Sequence, residues 1–98
     1  MAEEGSGHKK KSYHQLERIV KGFANHRRIE ILEIMQKTPE LSVAQIAERT
    51  GTNFKTASEH IRRLAIAGLV LKRSDGLNVR HKLTPQALSI LKFLRILE

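Results

Sequence analysis

Hydrophobic residues recur every three or four positions along most of the chain, a spacing that places them on one face of a helix. This pattern predicts helices over residues 12–23, 27–37, 42–50 and 52–68. Residues 69–73 and 77–83 instead alternate apolar with polar side chains around a Ser-Asp-Gly turn, which is typical of a β-hairpin. A last helix is predicted from Pro85, with Thr84 as its N-cap. The predicted fold is therefore mainly α: four helices, a small β-hairpin and a fifth helix.

The third and fourth predicted helices are joined by a short, sharp turn. Ser42 and Gln45 fit a capping box, which determines where the third helix begins. Gly51 supplies the permissive backbone that a tight turn requires. Asn53 or Thr52 can then cap the fourth helix. A short helix, a turn, a polar-faced helix and a hairpin form a winged helix-turn-helix, which is the predicted fold class.

The fourth helix is predicted to have one face for the core and a chemically different face opposite it. The apolar side contains Phe54, Ala57, Ile61, Leu64 and Ala65. The opposite side contains Lys55, Thr56, Glu59, Arg62 and Arg63. Hydrogen-bonding groups and positive charge are what base edges and phosphates bind. An ordinary solvated helix face is the alternative, because it has a similar composition.

The distribution of charge favours binding to nucleic acid. The 98-residue chain has a net charge of +8. Residues 52–83 hold seven Lys and Arg against Glu59 and Asp75, which leaves a net +5 in this third of the chain. The excess falls on the fourth helix and the hairpin, so a polyanionic partner is expected on this surface.

A DNA-binding surface is assigned on this basis. The residues expected to contact DNA from the fourth helix are Thr52, Asn53, Lys55, Thr56, Ser58, Glu59, His60, Arg62 and Arg63. Those expected from the hairpin are Lys72, Arg73, Asn78, Arg80 and Lys82. Arg62 and Arg63 are assigned mainly to phosphates, while the first half of the helix meets base edges. For Glu59, an intrahelical pair with either arginine is favoured over a contact to cytosine. For the hairpin cations, ordinary protection of a strand edge by charge is the alternative.

The pattern of apolar residues in the last helix predicts that the chain forms a dimer. Its polar residues come every third position, so apolar surface remains almost all round it. One small core cannot cover such a helix, and a partner subunit is the simplest cover. A helix wedged into the monomer core, or a further element beyond the chain, would also account for the pattern. The predicted dimer interface consists of Tyr13, Leu16, Val20, Leu88, Leu91, Leu94 and Leu97.

Composition argues against several other kinds of site. The chain has no cysteine and its five histidines show no paired ligand spacing, so no metal or cofactor is expected. Each histidine is predicted to be a surface residue or a phosphate contact. No nucleophile–base set or glycine-rich phosphate loop is visible, so an enzyme is not expected. No apolar run has the length of a membrane span or a signal peptide, so a cytoplasmic location is expected. Residues 1–11 are polar and aperiodic, which predicts a disordered basic tail.

Three stretches resemble the ArsR-type winged-helix transcriptional repressors: FANHRRIEIL (23–32), LSVAQIAERTGTNFKTASEHIRRLAIAGLV (41–70) and the hairpin that follows. The resemblance covers residues 12–98, and LTPQAL (83–88) is also similar to MarR-like relatives. It implies a homodimer, formed by the first and last helices, that binds a palindromic operator through residues 52–63 and 72–82. Many members sense metals through cysteines in the third helix, where Ser42 and Ala44 stand here. Metal sensing is therefore not implied.

Two hypotheses of function follow. The preferred one is a homodimeric, sequence-specific regulator of transcription that acts on double-stranded DNA, as a repressor. The other is a winged helix used as a protein-interaction or architectural nucleic-acid-binding module. Cations placed opposite the core face and along the hairpin favour the first. Single-strand recognition is disfavoured, because Tyr13, Phe23, Phe54 and Phe93, the four aromatic residues, are all expected to pack.

Overall fold

A computed structural model describes residues 10–98. The elements follow the order α1 (Tyr13–Phe23), α2 (His26–Lys37), α3 (Val43–Thr50), α4 (Phe54–Ile66), β1 (Val70–Asp75), β2 (Asn78–Leu83) and α5 (Pro85–Ile96). This order confirms the predicted winged helix-turn-helix. The predicted tail, residues 1–11, lies outside the described residues except for Lys10 and Lys11, which are exposed and precede α1.

The helices begin where side chains satisfy their free backbone N–H groups. Ser42 Oγ accepts a hydrogen bond from the Gln45 N–H at 3.2 Å, and Gln45 Oε1 accepts one from the Ser42 N–H at 2.9 Å. The predicted capping box is thus confirmed, and an equivalent box precedes α1. The Asn25 side chain accepts from two N–H groups of α2, which begins at His26, one residue earlier than predicted.

The core lies where α2, α3, α4 and α5 meet the base of the hairpin. Its most deeply buried side chains are Ile31, Leu32, Met35, Ile46, Ile61, Leu64, Leu69, Val70 and His81. From α5 it receives Ala87 and Leu91, which are 0% and 5% exposed. The assignment of Leu91 to the dimer interface is therefore wrong. Leu91 follows Ala87 by one helical turn, and the two residues form the buried side of α5.

α1 lies very close to the C-terminal end of α4. A Cβ atom at Gly22 would overlap the Cβ of Ala67, so only glycine permits this approach. α1 ends at Phe23, the last residue of the predicted helix over residues 12–23. Gly22 brings the two helices together, with the polar side of α1 beside the end of α4.

β1 and β2 form a two-stranded antiparallel sheet, the wing of the fold. The strands pair as far as Asp75 and Asn78, which leaves Gly76 and Leu77 in the turn. The turn predicted at residues 74–76 is therefore wrong. Gly76 has a φ of +64°, the left-handed conformation that a two-residue hairpin turn requires, so the two preceding residues stay in the strand. Leu77, at the tip, is fully exposed.

The register divides the wing side chains between two faces. Directly paired residues share a face. Arg73 therefore lies beside Arg80 on the outer face, where Lys82 and Asn78 also project. Lys72 pairs with His81 and lies on the opposite face, which faces the core at its base.

His81 attaches the wing to the helices. It is 1% exposed, and its Nδ1 donates to the Leu41 carbonyl oxygen at 2.9 Å. Leu41 and His81 also form an antiparallel bridge, in which the His81 N–H donates to the same carbonyl at 3.1 Å. The prediction of a surface histidine is wrong here. His81 lies two residues before Leu83 on the alternating pattern of β2, which turns it toward the core.

Candidate nucleic-acid interface

Hydrogen bonds hold the turn between α3 and α4. Gly51 has a φ of +69°, and the Thr52 N–H donates to the Ala47 carbonyl at 3.1 Å. The Thr50 hydroxyl donates to the Ile46 carbonyl at 2.9 Å and lies 2.9 Å from the Thr52 hydroxyl. Thr52, which was predicted to contact DNA, thus has its hydroxyl engaged inside the turn. These bonds position α4 relative to α3.

The outward side of α4 carries the polar groups that the sequence placed there, and we call this side, together with the exposed first turn of the helix, the α4 surface. Its exposed residues are Asn53, Phe54, Lys55, Thr56, Arg62 and Arg63. Its half-buried residues are Ser58, Glu59 and His60. Asn53 Oδ1 accepts from the Thr56 N–H at 2.7 Å, so this side chain caps the helix. The remaining side chains of the exposed set project from the first turn and from the C-terminal half of α4.

Phe54 belongs to the α4 surface and not to the core. Its side chain is 60% exposed and lines a depression of about 490 Å³ together with Lys55, Ser58, Glu59 and Arg62. The prediction that Phe54 packs in the core is wrong. The buried residues of α4 begin at Ala57, because the first turn of the helix extends past the core.

Glu59 pairs with both arginines of the α4 surface. Arg62 donates to its two carboxylate oxygens at 2.9 and 2.8 Å, and Arg63 Nε donates at 3.1 Å. The predicted intrahelical pair is therefore confirmed. The Arg62 hydrogen bonds are the main reason that the pKa of Glu59 is lowered to about 2, so this carboxylate is charged at any physiological pH. In the free protein, both guanidinium groups already have an anionic partner.

His60 lies against α2. Arg28 Nη1 donates to His60 Nδ1 at 3.2 Å. Burial, followed by the charge of Arg28, lowers the pKa of His60. The imidazole is therefore neutral at neutral pH, and it adds a hydrogen-bonding group to the α4 surface without adding charge.

The outer face of the wing also has internal partners for its cations. Arg73 Nη2 donates to Glu40 Oε1 at 2.9 Å, and this contact raises the pKa of the guanidinium. Arg80 Nη1 donates to the Glu40 carbonyl oxygen at 3.3 Å. Glu40 has a φ of +68°, unusual for a residue with a side chain. Glu40 adopts this conformation immediately before Leu41, which forms the bridge with His81 of β2. Lys72 and Lys82 are exposed.

Two cations of α1 that were not among the predicted site residues extend the basic surface. Arg18 and Lys21 line a depression of about 230 Å³ together with Arg62 and Arg63. Lys21 also pairs with Glu17 at 3.0 Å. Their three-residue spacing, which places Arg18 and Lys21 on one face of a helix, could have identified them from the sequence. The floor of the depression includes Ile66, which is 60% exposed on the polar side of α4.

An apolar groove of about 320 Å³ lies between α1 and α5, and we call it the α1–α5 groove. Its apolar lining consists of Leu16, Ile19, Val20, Phe23, Ile90 and Phe93. Of the predicted dimer residues, Leu16 and Val20 line this groove and are half-exposed. Tyr13 and Leu97 are exposed, Leu94 is half-buried, and Leu88 lies on the other flank of α5, one turn from Lys92.

Two further properties concern the part of the chain that the structure describes. Within residues 10–98, no group of three His, Asp or Glu side chains is arranged to hold a metal ion. No helix of this part is long and apolar enough to cross a membrane.

Comparison with known proteins identifies the fold and shows which proteins the chain is similar to. Residues 25–70, from the cap of α2 to the first residue of β1, match a family model described as winged helix-turn-helix DNA-binding. The chain is 40% identical over 62 residues to the HTH-type transcriptional regulator Rv0324 of Mycobacterium tuberculosis (strain ATCC 25618 / H37Rv). This match covers 63% of the chain and 27% of the relative, so the chain spans about a quarter of that protein.

Solved structures agree with this match. One of them is a homodimeric winged helix-turn-helix DNA-binding domain from Mycobacterium bovis, described as a possible ArsR-family transcriptional regulator. It superposes on this chain with a TM-score of 0.78 at 27% identity, over 92% of this chain and 89% of that one. HlyU from Vibrio cholerae N16961 superposes with a TM-score of 0.76 at 27% identity, over 91% and 97% of the two chains. The chain therefore has the winged helix-turn-helix fold of these proteins, and its residues 25–70 are similar to the winged helix-turn-helix DNA-binding family.

Proposed function

We propose that the chain is a sequence-specific regulator of transcription that binds double-stranded DNA as a homodimer. The observation that carries this proposal is the α4 surface. Polar side chains and two arginines project from a helix whose start and direction are set by the α3–α4 turn. An α-helix fits the major groove of B-DNA, where each base pair presents a distinct pattern of donors and acceptors.

The α4 surface suggests a division between base edges and phosphates. Lys55, Thr56 and Ser58 lie in the first half of the helix, which usually meets base edges in proteins of this architecture. Arg62 and Arg63 are assigned to phosphates, which accept bidentate hydrogen bonds from guanidinium groups. Both arginines would exchange the Glu59 carboxylate for phosphate oxygens when DNA binds.

The wing is assigned to the flanking backbone. Arg73, Arg80 and Lys82 share its outer face with Asn78, and a phosphate can compete with Glu40 for Arg73. Contacts of this kind give affinity and orientation but no sequence information. Lys72, on the other face of the hairpin, would reach a phosphate only from the edge of the wing.

The α1–α5 groove is assigned to the dimer interface. Leu16, Val20 and Phe93 in its lining remain half-exposed in the protomer, and apolar surface of this kind commonly marks an interaction site. The similar domain of Mycobacterium bovis is homodimeric, which supports a second copy as the partner. A two-fold dimer presents two α4 helices, so the operator would be palindromic. Occupation of a promoter by such a dimer would repress transcription.

Selection of random duplex DNA by the purified protein tests this proposal. We expect enrichment of an inverted repeat whose half-sites are about one helical turn, ~34–36 Å, apart. Binding should weaken as the salt concentration rises. Arg62→Ala and Arg63→Ala should each reduce the slope of the logarithm of the binding constant against the logarithm of the salt concentration, the salt slope, by up to ~0.9. Lys92→Ala, which removes a cation from α5, is the matched control and should leave the slope unchanged.

The alternatives predict different results. Steeply salt-dependent binding without an enriched motif would indicate an architectural nucleic-acid-binding protein. Absence of binding to any duplex would contradict the proposal and favour a protein-interaction module. Repression itself is tested by placing the selected repeat across a promoter and measuring transcription with and without the protein.

A further inference from the structure

An aromatic ring stands exposed among the polar groups of the α4 surface. Phe54 is the first residue of α4 and is 60% exposed. It shares its depression with the polar side chains of Lys55, Ser58 and Arg62. Exposure of a large apolar side chain to water is unfavourable, and a partner that covers the ring gains that free energy.

The major groove offers a chemically defined partner for this ring. Among the groups at its base edges, the C5 methyl group of thymine is apolar, and phenylalanine is one of the side chains that contact it. Phe54 lies in the first turn of α4, the part of such a helix that meets base edges. Arg62, which lines the same depression, supplies a cation that would hold a phosphate beside it.

We infer that Phe54 is a specificity residue that contacts the C5 methyl group of one thymine in each half-site of the operator. This inference rests on the proposed binding of α4 in the major groove. The ring distinguishes thymine from cytosine, because cytosine lacks the methyl group and presents a polar amino group nearby. Sequence preference at this base pair therefore comes from an apolar contact, whereas the neighbouring preferences come from hydrogen bonds.

Replacement of thymine by deoxyuridine tests this contact, because it removes the methyl group and leaves the base-pair hydrogen bonds unchanged. Each thymine of the selected operator is replaced in both half-sites, and Kd is measured by fluorescence anisotropy. We expect one symmetric pair of positions at which affinity of the wild-type protein falls about fourfold per methyl group, the size expected for one buried carbon. The Phe54→Ala protein should bind the thymine and deoxyuridine operators equally.

Two controls keep this test specific. Leu77→Ala removes an exposed apolar side chain from the wing tip and should keep the full sensitivity to deoxyuridine. Phe54→Gln also lacks the ring and is measured beside Phe54→Ala, with thermal melting to show that each protein is folded. Because Phe54 is outside the core, both should melt near the wild-type temperature.

The outcomes separate this inference from the proposed function. A wild-type protein that binds an enriched repeat but is insensitive to every deoxyuridine replacement would overturn the role of Phe54 and leave DNA binding intact. Equal sensitivity in the wild-type and both Phe54 variants would overturn it as well. A protein that binds no duplex would overturn the proposed function itself.

Discussion

Replacement of Val20 by glutamate should dissociate the proposed dimer without unfolding the protomer. Val20 is 51% exposed in the α1–α5 groove, so about half of its surface remains for a partner to cover. Full burial of a valine side chain contributes at least ~1.5 kcal/mol, so covering this half contributes ~0.8 kcal/mol. A symmetric dimer contains the contact twice, and the loss of ~1.5 kcal/mol weakens dimerisation about tenfold. A carboxylate on a covered apolar face adds a desolvation cost of at least similar size, so the total effect should be about a hundredfold or more.

Sedimentation velocity over a range of protein concentrations measures this change. Leu88→Glu is the matched control: Leu88 is 46% exposed, but it lies on the flank of α5 away from the groove and should leave dimerisation unchanged. Leu91→Glu would be uninformative, because Leu91 lies in the core and its replacement should unfold the protomer. A Val20→Glu protein with the wild-type dimerisation constant and melting temperature would refute the assignment of this face.

Three further predictions concern other parts of the molecule. Glu59→Gln frees two arginines and removes a negative charge from the α4 surface, so affinity for duplex DNA should rise and its salt dependence should steepen. Anisotropy titrations at two salt concentrations would measure both changes, and unchanged binding would contradict the prediction. The pKa of His60 is lowered by burial and by Arg28, so the unfolded chain binds this proton more readily than the folded one. The free energy of unfolding should therefore decrease as pH falls below about 6.5, and chemical denaturation of a His60→Gln protein should show a weaker decrease. Gly22→Ala should destabilise by ~1–3 kcal/mol through overlap with Ala67, although alanine favours helices. Thermal melting should show recovery when Ala67→Gly is added, and a stabilised Gly22→Ala protein would refute the close contact.

The parts of the fold that depend on local bonds were predictable from the sequence. A capping side chain bonds N–H groups two or three residues away, so Ser42 with Gln45 could be recognised without knowledge of the rest of the chain. The same holds for Gly51 at the turn and for Thr84 with Pro85 at the start of α5. The ion pair of Glu59 with Arg62 was also predictable, because both residues lie on one helix, three positions apart.

Burial at the ends of elements was not predictable in the same way. Helical periodicity gives the direction in which a side chain projects, but not whether another element lies there. Phe54 shares its direction with Ile61, two turns later, yet only Ile61 meets the core. In α5, apolar residues surround the helix, so the pattern could not separate the core residue Leu91 from half-exposed residues such as Phe93.

Contacts between distant parts of the chain left no local signal. Arg73 and Glu40 are 33 positions apart in the sequence, and the pairing depends on the bridge that carries the loop before α3 alongside β2. The charge of the wing could be counted from the sequence, but the partners that partly neutralise it could not. His81 was missed for a related reason, since its alternation on β2 was visible while the carbonyl that accepts its proton was not.

The bridge between Leu41 and His81 limits how far the DNA-binding surface can change shape when the proposed complex forms. Movement of the base of the wing away from the loop before α3 would break the hydrogen bonds of buried His81 to Leu41, so these bonds restrict the separation between the wing and α4 before DNA arrives. A preorganised surface loses little conformational entropy on binding. The duplex must then adapt to the protein, and sequences that are easily bent or narrowed would be favoured even at base pairs that no side chain touches.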